Sequence, residues 1–197
     1  MHPAAAFKET DEGALAALVA ERGFGLVIGA AEGRPVAAHA PVLLEGASLR
    51  FHLSRMNALT PVLEAGGRAL VVITRPDAYV SPDWCGLPDQ VPTWNYLSVE
   101  MEGPVTPLDS EAATALLDDL SAHFEARLAP KPPWTRAKMT PARFEALLGA
   151  IRAFEMRVER FEGIRKLSQN KGAEPMARLA DALEAAGSLE MARLMRP

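Results

Sequence analysis

Three short apolar segments, separated by two turns that contain glycine, make up residues 24–53, FGLVIGAAEGRPVAAHAPVLLEGASLRFHL. The segments run from Phe24 to Ala30, from Pro35 to Leu44 and from Ser48 to Leu53. In the third segment, apolar residues alternate with polar ones. Alternation with a period of two between turn residues is typical of antiparallel strands. This stretch therefore predicts a meander of three β-strands.

The rest of the chain adds further strands and several helical segments. Strands are predicted at 68–74, 78–81, 93–105 and 151–161, with a turn at Gly163 that leads into 164–169. Helices are predicted at 10–22, 57–65, 110–128, 141–149 and 174–195, the last one broken near Gly187. The helices are inserted between strands rather than alternating with them, which argues against a doubly wound α/β sheet. The order favours a mainly β protein, a small antiparallel barrel with added helices.

Composition narrows the class of protein. The chain has 197 residues and a formal net charge of −4, and 49% of its residues are hydrophobic. This predicts a folded domain without the overall basic charge of a nucleic-acid-binding protein. The first residues show no basic region followed by an apolar one, and no apolar run approaches the length of a membrane helix, so we expect a cytoplasmic protein. Cys85 is the single cysteine, and we expect an inert thiol.

The usual catalytic signatures are missing, including GxSxG, the phosphate-binding GxxxxGK[ST] loop and HExxH. The four histidines are scattered. His39 and His52 lie on neighbouring predicted strands, either as ordinary, partly exposed side chains or as a shared ligand site. No metal site is expected, because no nearby carboxylates accompany them.

The segment HLSRMN, residues 52–57, places a hydroxyl, a guanidinium and an amide where a strand leads into a predicted helix. Ser54, Arg55 and Asn57 are candidates for an anion site, because helix N-termini and arginine bind phosphate oxygens. The alternative is that Ser54 or Asn57 caps the helix while Arg55 is solvated.

The second segment of interest combines polar and aromatic side chains. In VPTWNY, residues 91–96, Thr93, Trp94 and Asn95 offer an aromatic surface and hydrogen-bond partners for a planar heteroaromatic ligand. The alternative is the start of a strand with Trp94 packed in the core.

The segment KLSQN carries Lys166, Ser168, Gln169 and Asn170 at a predicted strand end. Lys166 is a candidate second cation for a phosphate group. The alternative is an exposed edge.

Taken together, these segments resemble the PaiB-like family of FMN-binding split barrels, which has the pyridoxamine-phosphate-oxidase-like fold. The matching strings are HAPVLL (39–44), HLSRMN (52–57), AYVSPDW (78–84), VPTWNY (91–96) and GIRKLSQN (163–170). The resemblance implies an antiparallel, Greek-key-like split β-barrel and a homodimer with FMN at the subunit interface. It also implies a split-barrel domain over 1–170, with inserted helices at 110–149, and a helical extension over 171–197.

The resemblance also assigns roles to the candidate residues. It implies that Ser54, Arg55 and Asn57 hold the phosphate and ribityl end of FMN. Residues Thr93, Trp94 and Asn95 would line the isoalloxazine or its approach, and the site would be closed by Lys166, Ser168, Gln169 and Asn170. No catalytic residue is assigned.

Two functions from different classes remain open at this point. The first is a flavin-dependent redox protein or sensor linked to transcriptional regulation, since relatives carry the label of negative transcriptional regulator. The alternative is a non-enzymatic transcriptional regulator that acts through DNA or a protein partner, with flavin structural or absent. Because the charges around the C-terminal motif nearly cancel, we expect no direct DNA binding. Haem binding through His39, His52 or His123 is a third possibility.

Overall fold

The computed structural model describes residues 2–196. The strands are β1 (Lys8–Glu9), β2 (Phe24–Ala31), β3 (Arg34–Glu45), β4 (Ser48–Ser54), β5 (Arg68–Val80), β6 (Thr93–Pro107), β7 (Ile151–Arg157) and β8 (Arg160–Lys166). The helices are α1 (Glu12–Arg22), α2 (Thr60–Glu64), α3 (Ser110–Glu125), α4 (Pro141–Leu148), α5 (Ala173–Ala185) and α6 (Leu189–Met195). Within residues 2–196, no helix has the length and apolar character that a membrane span requires.

Strand pairing closes a ring. Strand β2 pairs antiparallel with β3 and β5, β3 pairs with β4, and β4 pairs with β7. Strand β6 is hydrogen-bonded both to β5 and to β7, so the order β6-β5-β2-β3-β4-β7 returns to its first member. This arrangement confirms the predicted antiparallel barrel with added helices.

The chain divides into two compact units, which we describe separately. The barrel unit comprises Val19–Ile73 and Glu100–Phe161. The terminal unit comprises Met1–Leu18, Thr74–Val99 and Glu162–Pro197. The expected division of the sequence at residue 170 stays a prediction.

The core of the barrel unit is built from alternate residues of its strands. Phe51 of β4 faces Phe154 of β7 in the strand register, both side chains are fully buried, and their ring centroids are 5.6 Å apart. Helix α3 packs Leu116 and Leu120 against Ala153 of β7. The amphipathic pattern of 110–125 thus attaches this helix to the strands.

A second core lies within the terminal unit. Leu179 and Leu183 of α5 pack with Met191 and Met195 of α6 in one cluster of buried residues. The same cluster includes Leu97 of β6 and Leu167, which follows β8. The helices at the C-terminus therefore cover the strand segments that carry two of the sequence motifs.

Two strand predictions were wrong. The predicted strands 68–74 and 78–81 form one continuous strand, β5. Pro76 lies inside it, and its fixed φ is compatible with extended backbone wherever its missing N–H is not needed for pairing. The predicted strand 151–161 is instead divided into β7 and β8, because Val158 and Glu159 donate backbone hydrogen bonds to the carbonyls of Ala47 and Glu102.

The predicted turn at Gly163 was also wrong, because this glycine lies inside β8 and pairs with Glu9. A Cβ atom at this position would lie 2.0 Å from Cδ2 of Leu15. The glycine therefore permits close packing in an extended strand rather than a change of direction.

The helix predicted at 57–65 is shorter in the structure. Helix α2 covers only Thr60–Glu64, because residues 54–57 form a turn in which the amide of Asn57 donates to the carbonyl of Ser54. The other helices follow their predictions closely, including the break near Gly187, where φ is 86°.

Candidate functional site

Lys166 ends β8 beside the first residue of β6. Its Nζ atom donates a 2.6 Å hydrogen bond to Oγ1 of Thr93 and lies 5.8 Å from the centroid of the Phe7 ring. Burial lowers the pKa of this ammonium group. Among residues 2–196 it forms no ion pair with a carboxylate. A partly desolvated cation whose hydrogen-bond partner is a neutral hydroxyl favours an incoming anion.

Asn95 and Ser168 connect the same two segments below the Lys166 contact. Ser168 has a left-handed φ of 60°, and its hydroxyl donates to Oδ1 of Asn95 over 3.0 Å. The amide Nδ2 of Asn95 donates to Sδ of Met195 over 3.3 Å. Both side chains are buried, with exposed fractions of 0% for Asn95 and 3% for Ser168. Their hydrogen bond holds together the two backbone segments that carry Thr93 and Lys166.

The remaining residues of the KLSQN motif have different surroundings. Gln169 binds its own loop and the segment near the N-terminus, since Oε1 accepts the amide of Leu167 and Nε2 donates to the carbonyls of Arg165 and Ala6. Asn170 is exposed. The structure therefore gives Gln169 a role in holding the loop and leaves the Asn170 side chain open to solvent.

An aromatic surface lies beside Thr93. The rings of Trp94 and Tyr79 meet edge to face with centroids 6.1 Å apart. Trp94 is 54% exposed, so the alternative that it packs in the core is wrong. Leu87 and Val91 are also exposed in the terminal unit. The adjoining exposed rings of Tyr79 and Trp94 offer an apolar face to a planar ligand or a protein.

The HLSRMN residues belong to the barrel unit and surround a second positive group. Arg55 donates from Nε to the carbonyl of Gly149 over 2.9 Å, and its Nη1 lies 3.7 Å from Oε1 of Glu64. Arg152 places its Nε 2.9 Å from the same carboxylate oxygen, without hydrogen-bond alignment. Two guanidinium groups thus share one carboxylate, which leaves a net positive charge.

Ser54 and Asn57 shape the turn around Arg55. The hydroxyl of Ser54 accepts the amide of Met56, and Oδ1 of Asn57 accepts the amide of Leu59. Both side chains therefore bind the backbone of the turn, and neither caps α2, which has Leu59 at its N-cap without a side-chain hydrogen bond. The alternative that one of them caps this helix is wrong. Met56 between them is 93% exposed.

Four residues of these groups were missed at the level of sequence, namely Glu64, Tyr79, Arg152 and Met195. Arg152 faces Leu53 only because β4 pairs with β7 across about a hundred residues. Met195 reaches Asn95 from the far end of the chain. No local pattern carries such contacts. The exception is Tyr79, since an aromatic residue in AYVSPDW could have been considered for the same reason as Trp94.

Ordinary ring and backbone contacts surround His39, His123 and Cys85. His39 stacks on Phe24 with ring centroids 6.0 Å apart, and Nε2 of His123 lies 3.0 Å from the Ala20 carbonyl. Cys85 is buried and its Sγ donates to the carbonyl of Pro82. Residues 2–196 contain no group of three or more His, Cys, Asp or Glu side chains that could hold a metal.

A curated protein is similar to this chain over nearly its whole length. The chain is 29% identical over 200 residues to "Protease synthase and sporulation protein PAI 2" of Bacillus subtilis (strain 168), across 96% of this chain and 93% of the relative. This likeness includes the region of the KLSQN motif.

Solved structures share the fold at low identity. The FAD and heme binding protein of Mycobacterium smegmatis matches with a TM-score of 0.60 at 21% identity, over 81% of this chain and 73% of that one. The flavocytochrome Anf3 of Azotobacter vinelandii matches with a TM-score of 0.61 at 14% identity, over 84% and 72%. Both confirm the architecture expected from the sequence motifs.

The family itself is given by a domain model. Residues 1–160 match the family described as "Putative FMN-binding domain". The matched range covers most of the barrel unit and includes the segment from Thr93 to Asn95. Lys166 and the residues after it lie beyond the matched range. Since this match spans well over half of the chain, the protein belongs to this FMN-binding, PaiB-like family of split barrels.

Proposed function

We propose that this protein binds FMN through its phosphate and acts as a flavin-dependent redox protein or sensor linked to transcriptional regulation. The observation that carries the proposal is the ammonium group of Lys166, which has a hydroxyl partner in Thr93 and no carboxylate partner in residues 2–196. A phosphate dianion is the natural counter-charge for such a group.

The arginine group of the barrel unit supports the same ligand class. Arg55 and Arg152 share the single carboxylate of Glu64, so this group also has an excess of positive charge. We treat it as a separate candidate for the phosphate or the ribityl chain, to be tested by its own variants.

The exposed Trp94 and Tyr79 suit the other end of a flavin. An isoalloxazine ring is planar and apolar over its faces, and aromatic side chains bind such rings by offset or edge contacts. Bound FMN would supply the electron-transfer chemistry. The side chains named here would bind and orient the cofactor and keep water from one face of its ring.

We further propose a homodimer with the flavin at the subunit interface. Support comes from Tyr79 and Trp94, which are exposed and have their rings in contact, because adjoining exposed apolar side chains mark interaction surfaces. Leu87 and Val91 add exposed apolar area in the same unit. Light scattering coupled to gel filtration gives the mass in solution. A monomer at micromolar concentration, with and without FMN, would contradict the proposal.

The proposal is tested by titrating the purified protein with FMN and following flavin fluorescence, with riboflavin as the control ligand. Riboflavin has the same ring and ribityl chain and lacks the phosphate. Tight binding of FMN and weak binding of riboflavin is the expected result. Equal affinity for both would contradict a phosphate-anchored site, and binding of neither would turn attention to haem.

The second candidate is a regulator without catalysis, and the name of the Bacillus subtilis relative, which concerns protease synthesis and sporulation, favours it. Oxidation of NADH or NADPH by the FMN-loaded protein separates the two candidates, because turnover requires a redox enzyme. A sequence-selective gel shift with promoter DNA would contradict our expectation that the isolated protein does not bind DNA directly. A single buried cysteine supports action in the cytoplasm for either candidate.

A further inference from the structure

A cavity of about 600 Å³ lies in the terminal unit, between the end of β8, the start of α5 and the end of α6. Its volume is that of an ordinary small-molecule pocket. Arg165 lines this cavity, whereas the next residue, Lys166, contacts Thr93 instead. Because successive side chains of a strand point to opposite faces, the cavity lies on the other face of β8 from the Lys166 contact.

Aliphatic side chains form most of the cavity wall, and no aromatic ring of residues 2–196 lines it. The aliphatic lining residues are Leu167, Ala173, Met176, Ala177, Leu194 and Met195. Methionine side chains are flexible and polarizable, so they adapt to ligands of irregular shape. This wall therefore suits a flexible aliphatic chain better than a flat aromatic ring.

Three polar side chains complete the wall, and Arg165 is the one whose charge is not used within residues 2–196. The amide atoms of Gln169 are bonded to backbone groups. The guanidinium of Arg196 binds the carboxylates of Asp181 and Glu184 over 2.8 Å and 2.5 Å. Arg165 is exposed, and its side chain forms no hydrogen bond or ion pair with any of residues 2–196. Its N–H donors are therefore accessible to a ligand in the cavity.

We propose that this cavity binds an aliphatic monocarboxylate, whose carboxylate accepts hydrogen bonds from Arg165 while its chain packs against Met176 and Leu194. A planar guanidinium matches a carboxylate with two parallel hydrogen bonds. One cation without a counter-charge pairs with a single negative charge, so the site selects a monoanion rather than a phosphate dianion.

The inference goes beyond the proposed flavin function and does not depend on it. Gln169 is the one lining residue that the family resemblance assigns to FMN, and its amide is engaged with the backbone. Since Lys166 lies on the other face of β8, the acid and FMN should bind at the same time.

The test compares octanoate, 1-octanol and octylammonium, which share one chain and differ in charge. Binding to the full chain is measured by calorimetry, with and without saturating FMN. We expect octanoate to bind about tenfold more tightly than 1-octanol, which is the effect of a hydrogen bond to a charged group, and octylammonium to bind most weakly. An apolar cavity without an available cation would give the reverse order for octanoate and octanol, because the carboxylate loses more hydration.

An arginine pair tests the role of the cation. Arg165→Met removes the charge and keeps a long side chain, so octanoate affinity should fall about tenfold while 1-octanol affinity stays unchanged. Arg193→Met is the matched control, because Arg193 is an exposed arginine of α6 that does not line the cavity. Equal losses of octanoate affinity in the two variants would contradict the role of Arg165.

An alanine pair locates the site. Ala177→Leu places a larger side chain in the wall and should weaken octanoate and 1-octanol together. Ala122→Leu makes the same change on α3, in a barrel-unit cavity of about 490 Å³, and should leave both affinities unchanged. A loss of binding in Ala122→Leu with normal binding in Ala177→Leu would overturn the assignment.

A measurement on the unaltered protein covers the case in which a variant fails to fold. With methionine labelled by ¹³C at its methyl group, the Met176 signal should shift on addition of octanoate. The signal of Met139, which lines a cavity of the barrel unit, should stay in place. The proposal is overturned if octanoate leaves the Met176 signal unchanged, if 1-octanol binds as tightly as octanoate, or if octanoate displaces bound FMN.

Discussion

The hydroxyl of Ser168 donates a 3.0 Å hydrogen bond to Oδ1 of Asn95, and both side chains are buried in the terminal unit. Two residues earlier on each segment, Lys166 donates to Thr93. The two contacts form successive links between the start of β6 and the end of β8. The Ser168–Asn95 hydrogen bond is closed to solvent. We infer that it holds the Lys166–Thr93 hydrogen bond in place.

This relationship predicts the stability of Ser168→Ala. The variant leaves Oδ1 of the buried Asn95 without its partner, which costs about 1–3 kcal/mol in the free energy of unfolding. Urea denaturation followed by circular dichroism measures the change. Ser188→Ala is the matched control, because the Ser188 side chain does not cap α6, and it should stay within about 0.5 kcal/mol of wild type. Equal stabilities of the two variants would contradict the buried link.

A second prediction concerns two glycines that lie inside strands, Gly103 and Gly163. A Cβ atom on Gly103 of β6 would lie 1.8 Å from the backbone oxygen of Arg157, at the point where β6 and β7 close the barrel. A backbone atom has little room to move, so Gly103→Ala should destabilise the protein by about 1–3 kcal/mol or more. At Gly163 the obstructing atom belongs to the Leu15 side chain, which can change rotamer, so the cost of Gly163→Ala should be smaller.

The control for this pair is Gly149→Ala, since a Cβ atom there meets only ordinary contacts at 3.5 Å and beyond. Its unfolding free energy should be close to that of wild type. Thermal or urea unfolding of the three variants gives the order directly. The interpretation of Gly103 fails if its variant is as stable as Gly149→Ala.

The features that follow from local sequence were predicted, and those that depend on distant contacts were not. Alternation in residues 24–53 gave the right strands because each turn there closes a short hairpin. Gly163 was interpreted as a turn because a glycine in a strand looks the same in sequence, whether it permits a bend or close packing with Leu15. Similarly, the motifs located Lys166 and Thr93 separately, and only the fold places one beside the other.

His52 makes stability depend on pH. Burial lowers the pKa of its imidazole in the folded state, whereas the unfolded chain has a value of about 6.5. The neutral ring's contribution is therefore fully present above about pH 6.5 and is lost as the pH falls towards the lower folded value, because the unfolded state takes up the proton first. His52→Leu should lose stability less steeply than wild type below that pH. Urea midpoints measured at pH 7.5 and below 6.5 test this, and parallel curves would contradict it.

The flavin proposal predicts that Lys166 and Trp94 affect different ligands. Lys166→Met removes the cation that would meet the phosphate, so FMN affinity should fall about tenfold or more while riboflavin affinity stays the same. Trp94→Ala removes an aromatic surface for the ring, so it should weaken FMN and riboflavin by the same factor, about threefold to tenfold. Fluorescence titrations of both ligands against each variant give the two ratios.

Matched controls separate these effects from general changes in charge. Lys138→Met removes a lysine whose ammonium donates to the carbonyl of Pro133, and Arg34→Ala removes an exposed arginine paired with Glu32. Neither should alter either affinity, whereas Arg55→Ala should selectively weaken FMN if the barrel-unit group meets the phosphate. If Lys166→Met weakens riboflavin as strongly as FMN, the lysine holds the fold or the ring and the phosphate lies elsewhere. If Lys166→Met and Arg55→Ala both bind FMN normally, neither positive group anchors the cofactor.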